Sequence, residues 1–299
     1  MYKITSKWPH QDTIKIEWNL GKRCNLDCAY CPTDIHDQKS KHTDLSIIKS
    51  TIDKLKTFNK PIRISLTGGE PTVHPNINEI IEYIHKNLSW LNITTNGTRS
   101  PSWYAEQPVS HYVFSLHFDN KNWKRISENI LEFSALNELN DNIPFHVHLM
   151  AHYQYIHELK QVVSNFEKEN VKYTLRRIRW TTKHDWFDDM RYDAEDLKWI
   201  LNKESTVFPN CIIDNKHEYH ANDIIKNKMN NFKNWKCYAG IESLMINWDG
   251  DMHRATCRVG DSLGNIYNDT FTLPINPTIC SREWCTCAAD IPITKTSIY

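Results

Sequence analysis

At 299 residues, with 36 Lys and Arg against 36 Asp and Glu, the chain is long enough for one large domain or for a main domain with a small companion, and it has no net charge. That balance disfavours a protein whose main task is holding nucleic acid, since such domains carry a basic excess to neutralise phosphate. No run of about 18 apolar residues and no apolar secretory segment occurs, so nothing places the chain in or across a membrane, and the cytosol is the default compartment.

In chain order, apolar and polar residues alternate over 14–20, the period of a half-buried strand, and a cysteine-bearing loop follows. Residues 44–58 carry Leu45, Ile48, Ile52 and Leu55 at helical spacing, with Asp44 at the N-cap position. A second strand over 62–67 ends in Gly68-Gly69-Glu70-Pro71. A helix over 77–88 leads to a third strand, 91–95, which runs into Asn96-Gly97. Strands over 112–117, 145–150 and 171–178 alternate with helices over 122–139 and 158–169. Six alternations of strand and helix predict a parallel α/β architecture.

One parity of each strand is apolar, as in Ile14, Ile16 and Trp18 or Ile62, Ile64 and Leu66. The other is polar, as in Glu17 and Asn19 or His146 and His148. A sheet covered on both faces would be apolar throughout. The pattern therefore predicts an open, partial (β/α)6 TIM-like barrel with helices outside and a wet lumen. Beyond residue 180 the pattern loosens, with helices expected over 194–201 and 222–232. Residues 244–248, the turn Asp249-Gly250 and residues 251–258 read as a β-hairpin, which would bring Cys237 and Cys257 together at one end. The expected organisation is a barrel over 1–180, a connecting helical segment over 181–236, and a small cysteine-rich hairpin domain over 237–299.

The nine cysteines form two groups, Cys24, Cys28 and Cys31, then Cys237, Cys257, Cys280, Cys285 and Cys287, with Cys211 between them as a buried small hydrophobe. A reducing compartment disfavours a disulfide framework, so the groups read as two metal sites. Three thiols are an odd number for one centre. Four would complete a tetrahedral zinc site or cap every iron of a four-iron cluster, whereas three leave one corner open for a ligand.

The spacing Cys-x3-Cys-x2-Cys, with Tyr30 before the third cysteine, resembles the cluster-binding loop of the radical S-adenosylmethionine (radical SAM) superfamily. Gly68-Gly69-Glu70-Pro71 resembles that family's GGEP motif, Thr94-Thr95-Asn96-Gly97 its TNG stretch, and Ser115 a serine near the cofactor carboxylate. The resemblance implies a [4Fe–4S] cluster on Cys24, Cys28 and Cys31, with S-adenosylmethionine on its open iron and contacts from Tyr30, Gly68, Gly69, Glu70, Thr95 and Ser115. It also implies an electron donor such as flavodoxin or ferredoxin. The alternatives for Thr95 and Ser115 are plain strand propensity and a satisfied lumen hydroxyl.

The C-terminal cysteines, with Asn247-Trp248-Asp249-Gly250 and Leu263-Gly264-Asn265-Ile266, resemble the twitch form of the SPASM auxiliary-cluster domain. That implies one auxiliary [4Fe–4S] cluster on four of the five, although a structural zinc site would also need only four. The implied activity is reductive cleavage of S-adenosylmethionine to a 5′-deoxyadenosyl radical, hydrogen abstraction from a polar substrate, and a two-electron oxidation completed through the auxiliary cluster. His117, His146, His148 and Arg176 fall on the predicted lumen face and read as substrate contacts, Arg176 for an anionic group. His146 and His148, two residues apart, could also share a metal. Only 23 residues precede Cys24, which favours a small polar substrate over a peptide. A peptide-modifying maturase is the alternative, and a non-catalytic zinc- or iron–sulfur-binding scaffold is the reading from another class.

Overall fold

Period-two alternation becomes six parallel strands in the computed structural model, which describes residues 2–7, 13–58, 60–139, 143–178, 189–203 and 210–298. After a short strand β1 (Lys3–Ser6), the barrel runs β2 (Ile14–Asn19), α1 (Leu45–Lys56), β3 (Ile62–Thr67), α2 (Ile77–Asn87), β4 (Trp90–Thr95), α3 (Pro101–Glu106), β5 (His111–His117), α4 (Trp123–Leu139), β6 (Phe145–Ala151), α5 (Ile156–Lys168) and β7 (Tyr173–Arg177). The strands pair in sequence order from β2 to β7, all parallel. The apolar parity packs outward against the helices. Ile16, Ile64 and Ile93 share one core with Ile48 and Ile52 of α1 and Ile80, Ile81 and Ile84 of α2. Burying each such side chain contributes about 1.5–3 kcal/mol, which is why the pattern commits the strands to one facing.

The rest of the chain forms α6 (Ala194–Asn202), β8 (Cys211–Ile213), β9 (His217–Tyr219), α7 (Ala221–Lys226), β10 (Lys236–Cys237), β11 (Ser243–Ile246), β12 (Asp251–His253), β13 (Gly264–Asn265), β14 (Thr270–Phe271), β15 (Thr278–Ile279) and β16 (Lys295–Thr296). Strand β11 pairs parallel with β2, so β11 to β14 extend the barrel sheet to ten strands, ordered β14-β13-β12-β11-β2-β3-β4-β5-β6-β7. β14 and β7 are its two edges. The barrel is not closed.

Several expectations are corrected. The helix expected over 222–232 ends at Lys226, and Lys228 turns out of it with φ of 55°. The second hairpin strand stops at His253 instead of 258, because the Arg254 carbonyl turns to accept from Gly240 N and Ser243 Oγ, both at 2.9 Å. Strand pairing also crosses the boundary expected at 237. The second sheet, β15-β10-β16-β1-β8-β9, joins residues 3–6 to strands 211–213 and 295–296, and Ile4 shares a second core with Cys211, Ile224, Cys237, Cys280 and Cys285. Of the expected connecting segment, residues 181–188 and 204–209 lie outside the described residues.

Candidate functional site

The three-cysteine loop leaves the C-terminal end of β2 and is laced to its surroundings by main-chain bonds. Cys24 N donates to Asp37 O at 2.8 Å, Glu70 N to Arg23 O at 2.9 Å and Gly69 N to Ile35 O at 3.1 Å. His36 Nε2 lies 2.8 Å from Leu26 O inside the loop. The Gly-Gly-Glu-Pro turn is thus the platform on which the loop rests. Gly69 has φ of 54°, and a Cβ there would stand 2.3 Å from Arg23 O, so only glycine permits the approach.

Glu70 is 3% exposed, and burial raises its pKa against the pull of its hydrogen bonds. Its Oε1 accepts from Thr72 N at 3.0 Å, Thr72 Oγ1 at 2.6 Å and Thr95 Oγ1 at 2.8 Å, and its Oε2 accepts from Asn96 N at 2.6 Å. Glu70 and Thr95 therefore tie turn to strand, and the turn has backbone, not a free carboxylate, to offer a ligand. Asn96 Nδ2 donates to Asn25 Oδ1 at 2.7 Å and to Cys24 Sγ at 3.8 Å, while Leu26 N donates to the same sulfur at 3.4 Å. Asn96 was not among the residues singled out in the sequence, although it stands in the motif.

Burial pushes all three thiols up. For Cys31 the value reaches about 11, and for Cys28 burial is followed by the charge of Asp119. The cysteines also raise one another, as close neighbours do. Their protons leave readily only to a cationic centre, and three soft sulfurs, one already accepting two N–H bonds, suit iron. Tyr30 seals the lumen side. Its hydroxyl lies 2.6 Å from His117 Nδ1, and the rings stack at 5.9 Å. Burial lowers His117 to about 4, so the imidazole facing the phenol is neutral.

Below this lies a belt of polar side chains across the lumen. Asn92 Nδ2 donates to Ser65 Oγ at 3.0 Å, and Asn92 Oδ1 is 2.6 Å from His111 Nδ1. His146 is 3.4 Å from His111 and 3.1 Å from His148, and Arg176 reaches His148 Nε2 at 3.2 Å and Asn222 Oδ1 at 2.9 Å. Burial keeps the imidazoles neutral, with His111 lowered to about 4 and His146 to about 3, the latter helped by His111 and Arg176. The structure thus brings His146, His148 and Arg176 together, with His117 apart beside Tyr30. Ser115 lies on β5 opposite His148. Among the described residues no group of three or more His, Cys, Asp or Glu is set to hold a single metal ion.

The sequence did not single out His111, which precedes the expected strand start, or Asn222, which arrives from α7. Strand parity could have found His111. At the N-terminal ends of the strands the lumen opens into a cavity of about 1140 Å³, lined among others by Lys15, Glu17, Arg63, His146 and Asp290. Glu17 is raised to about 7 by burial and by Asp290, and Lys15 is lowered by burial and by Arg63. The Lys15 side chain is walled by protein yet touches the solvent of the cavity.

Of the five C-terminal cysteines, Cys237, Cys257, Cys280 and Cys285 line one small pocket with Asp290 and Lys295. Cys287 does not. Burial, then Asp290, pushes it up to about 12 against the pull of the Ala289 backbone bond, with Glu17 adding from the barrel side, and Cys287 in turn acts on both Cys285 and Arg176. Asp290 accepts from Cys257 N at 2.8 Å, and the buried Lys295 ammonium donates to the carbonyls of Asp290 at 2.7 Å, Ile293 at 3.0 Å and Ile291 at 3.1 Å.

Comparison with known proteins places this geometry. Residues 18–163 match the family model described as the radical SAM superfamily. The chain is similar to the antilisterial bacteriocin subtilosin biosynthesis protein AlbA of Bacillus subtilis, 37% identical over 81 residues, which is 27% of this chain and 18% of that protein. It is also similar to the mycofactocin maturase MftC of Mycolicibacterium smegmatis, 29% identical over 101 residues, or 33% of this chain and 26% of that one. The chain therefore spans only a minor part of the length of these relatives. Among solved structures, anSMEcpe with bound AdoMet superposes with a TM-score of 0.55 at 14% identity, covering 86% of this chain and 76% of that one. SuiB of Streptococcus suis gives 0.54 at 14% identity, covering 87% and 64%. These two share the fold, an open α/β barrel.

Proposed function

This chain carries a radical SAM domain, and from that premise we propose that it is an enzyme that removes a hydrogen atom from a polar substrate and completes a two-electron oxidation. The domain implies a [4Fe–4S] cluster and S-adenosylmethionine, and the residues fit them: Cys24, Cys28 and Cys31 would hold the cluster, with the Gly68–Gly69 backbone, Tyr30 and Ser115 at the cofactor. Four further thiols, Cys237, Cys257, Cys280 and Cys285, would hold an auxiliary cluster. When bound, these groups supply an electron for cleaving the sulfonium, a 5′-deoxyadenosyl radical that takes hydrogen from a C–H bond, and an outlet for the electron left behind.

The chain's own residues do the rest. The platform under the cysteine loop fixes where the open corner points, and the Tyr30–His117 pair closes the upper lumen against water. Both ring nitrogens of His111 and of His146 are engaged within the belt, which fixes the wall, and Arg176 keeps N–H groups beyond the two it uses. That set would hold hydroxyl, amide or carboxylate groups of a substrate. With four thiols around the second pocket, no position is left open there for substrate, so its role is electron transfer.

The observation that carries this reading is the convergence of three thiols on the Gly-Gly-Glu-Pro platform at the mouth of a polar-lined lumen. The width of the cavity favours a second reading for substrate. About 1140 Å³ is more than the roughly 300–1000 Å³ of a small-ligand pocket and would admit a peptide segment from the end of the barrel opposite the cysteine loop, no residue of which lines it. AlbA and MftC are named for bacteriocin biosynthesis and for mycofactocin maturation. The test is anaerobic purification, with iron and sulfide near about eight atoms each per chain, followed by reduction with S-adenosylmethionine. Zinc in place of iron, or no 5′-deoxyadenosine, would overturn the enzyme reading.

A further inference from the structure

Two carboxylates stand against the cysteine loop, and they are used differently. Glu70 is saturated by four hydrogen bonds. Asp119, just beyond the end of β5, accepts one bond through Oδ2, from Ala29 N at 3.1 Å, inside the loop between Cys28 and Cys31. Its Oδ1 is buried and has no hydrogen-bond partner, and Asp119 forms no ion pair among the described residues. A half-buried carboxylate with no ion-pair partner among the described residues is screened by water on one side only, so part of its field reaches the loop. By contrast Asp27, in the same loop between Cys24 and Cys28, is exposed.

We propose that Asp119 is a positioning residue for the cluster on Cys24, Cys28 and Cys31: it clamps the loop through Ala29 N–H and, as a half-buried negative charge against the loop, holds the one-electron reduction potential of that cluster low. The inference rests on the functional reading above. Reduction adds one electron to the cluster and therefore one negative charge, which a nearby half-buried anion opposes. Net charge, hydrogen bonding and solvent exposure are the protein's means of setting such potentials. A lower potential makes the reduced centre a stronger donor to a sulfonium.

The test is a redox titration of the full chain with titanium(III) citrate as reductant. The cluster is followed by its electron paramagnetic resonance, and the signal that S-adenosylmethionine perturbs identifies the loop centre. Asp119→Asn keeps shape and an acceptor for Ala29 N–H while deleting the charge, and it should move the potential to more positive values at unchanged iron and sulfide content. Asp119→Glu should return the potential toward the wild-type value. Asp27→Asn, which deletes the same charge where water screens it, should shift the potential much less. If Asp119→Asn does not load iron, Asp119→Ser serves as the second neutral variant with the same expected shift. Equal potentials in wild type and the neutral variants, or equal shifts for Asp27→Asn and Asp119→Asn, would overturn the proposal and leave the enzyme reading intact. A wild-type chain without iron would instead overturn the reading beneath it.

Discussion

The two cysteine groups solve the same problem in opposite ways. Cys24, Cys28 and Cys31 come from one loop, and its shape is set by main-chain bonds to Asp37, Arg23 and Ile35 and by amides around one sulfur. The pocket of Cys237, Cys257, Cys280 and Cys285 is gathered from strand β10, the segment after β12 and the stretch after β15, and the buried Lys295 stands at its side. A local loop can be recognised from spacing. A gathered pocket depends on the sheet that collects it, and the charge beside it differs accordingly, a lysine beside Asp290 at the second site and carboxylates at the first.

The sharpest way to break this comparison is to remove one site at a time. Changing Cys24, Cys28 and Cys31 to Ala should abolish 5′-deoxyadenosine formation and lower iron to roughly half, with about four atoms left on the second site. Surviving cleavage would mean that the chemistry lies elsewhere. Next in size, Cys257→Ala or Cys285→Ala should lose the second half of the iron while 5′-deoxyadenosine still forms. Cys287→Ala should retain the full iron content, because its side chain stands outside the pocket. Iron loss in Cys287→Ala equal to that in Cys285→Ala would reassign the spare thiol.

A smaller effect is expected where the first site depends on backbone alone. Gly69→Ala meets both a positive φ and the Arg23 carbonyl, and it should destabilise the chain by about 2–4 kcal/mol in denaturant unfolding. A loss below about 0.5 kcal/mol would show that the platform can yield. The smallest effect concerns Glu17, in the lining of the lumen cavity. Its folded pKa, raised to about 7, exceeds the usual carboxylate value near 4.5. The folded state thus binds the proton more tightly than the unfolded one. Stability should therefore fall as pH rises from about 4.5 to about 7 and level off above. Glu17→Gln should flatten that part of the profile in melting temperature between pH 5 and pH 8, and an unchanged slope would place the titration on another group.

Much of the barrel was legible because its signals are local. Strand β3 ends where the alternation ends, at Thr67, and the six strands and their facing follow from burial of one parity. The short helix α3 was not foreseen, although Ser100 caps it and Pro101 opens it; six residues carry too little periodicity to register. The candidate site divides in the same way. Cysteine spacing and the Gly-Gly-Glu-Pro turn marked the loop, but Asp119 is an unremarkable residue until the structure shows its Oδ2 accepting from Ala29 N between the cysteines. Glu70 and Thr95 stood out in the motif, and the structure shows them bonded to each other.

By itself, then, the sequence determined the alternation of elements, the wet and dry faces of the strands, and the three-thiol loop with its glycine platform, because period, turn chemistry and ligand spacing act over a few residues. Tertiary structure alone decided which four of five C-terminal cysteines share a pocket, that β1 lies between β8 and β16, and that Asn222 completes the lumen belt. Those partners are far apart along the chain. Nothing in local propensity encodes such a pairing, which is selected only when burial of the two cores is satisfied at once.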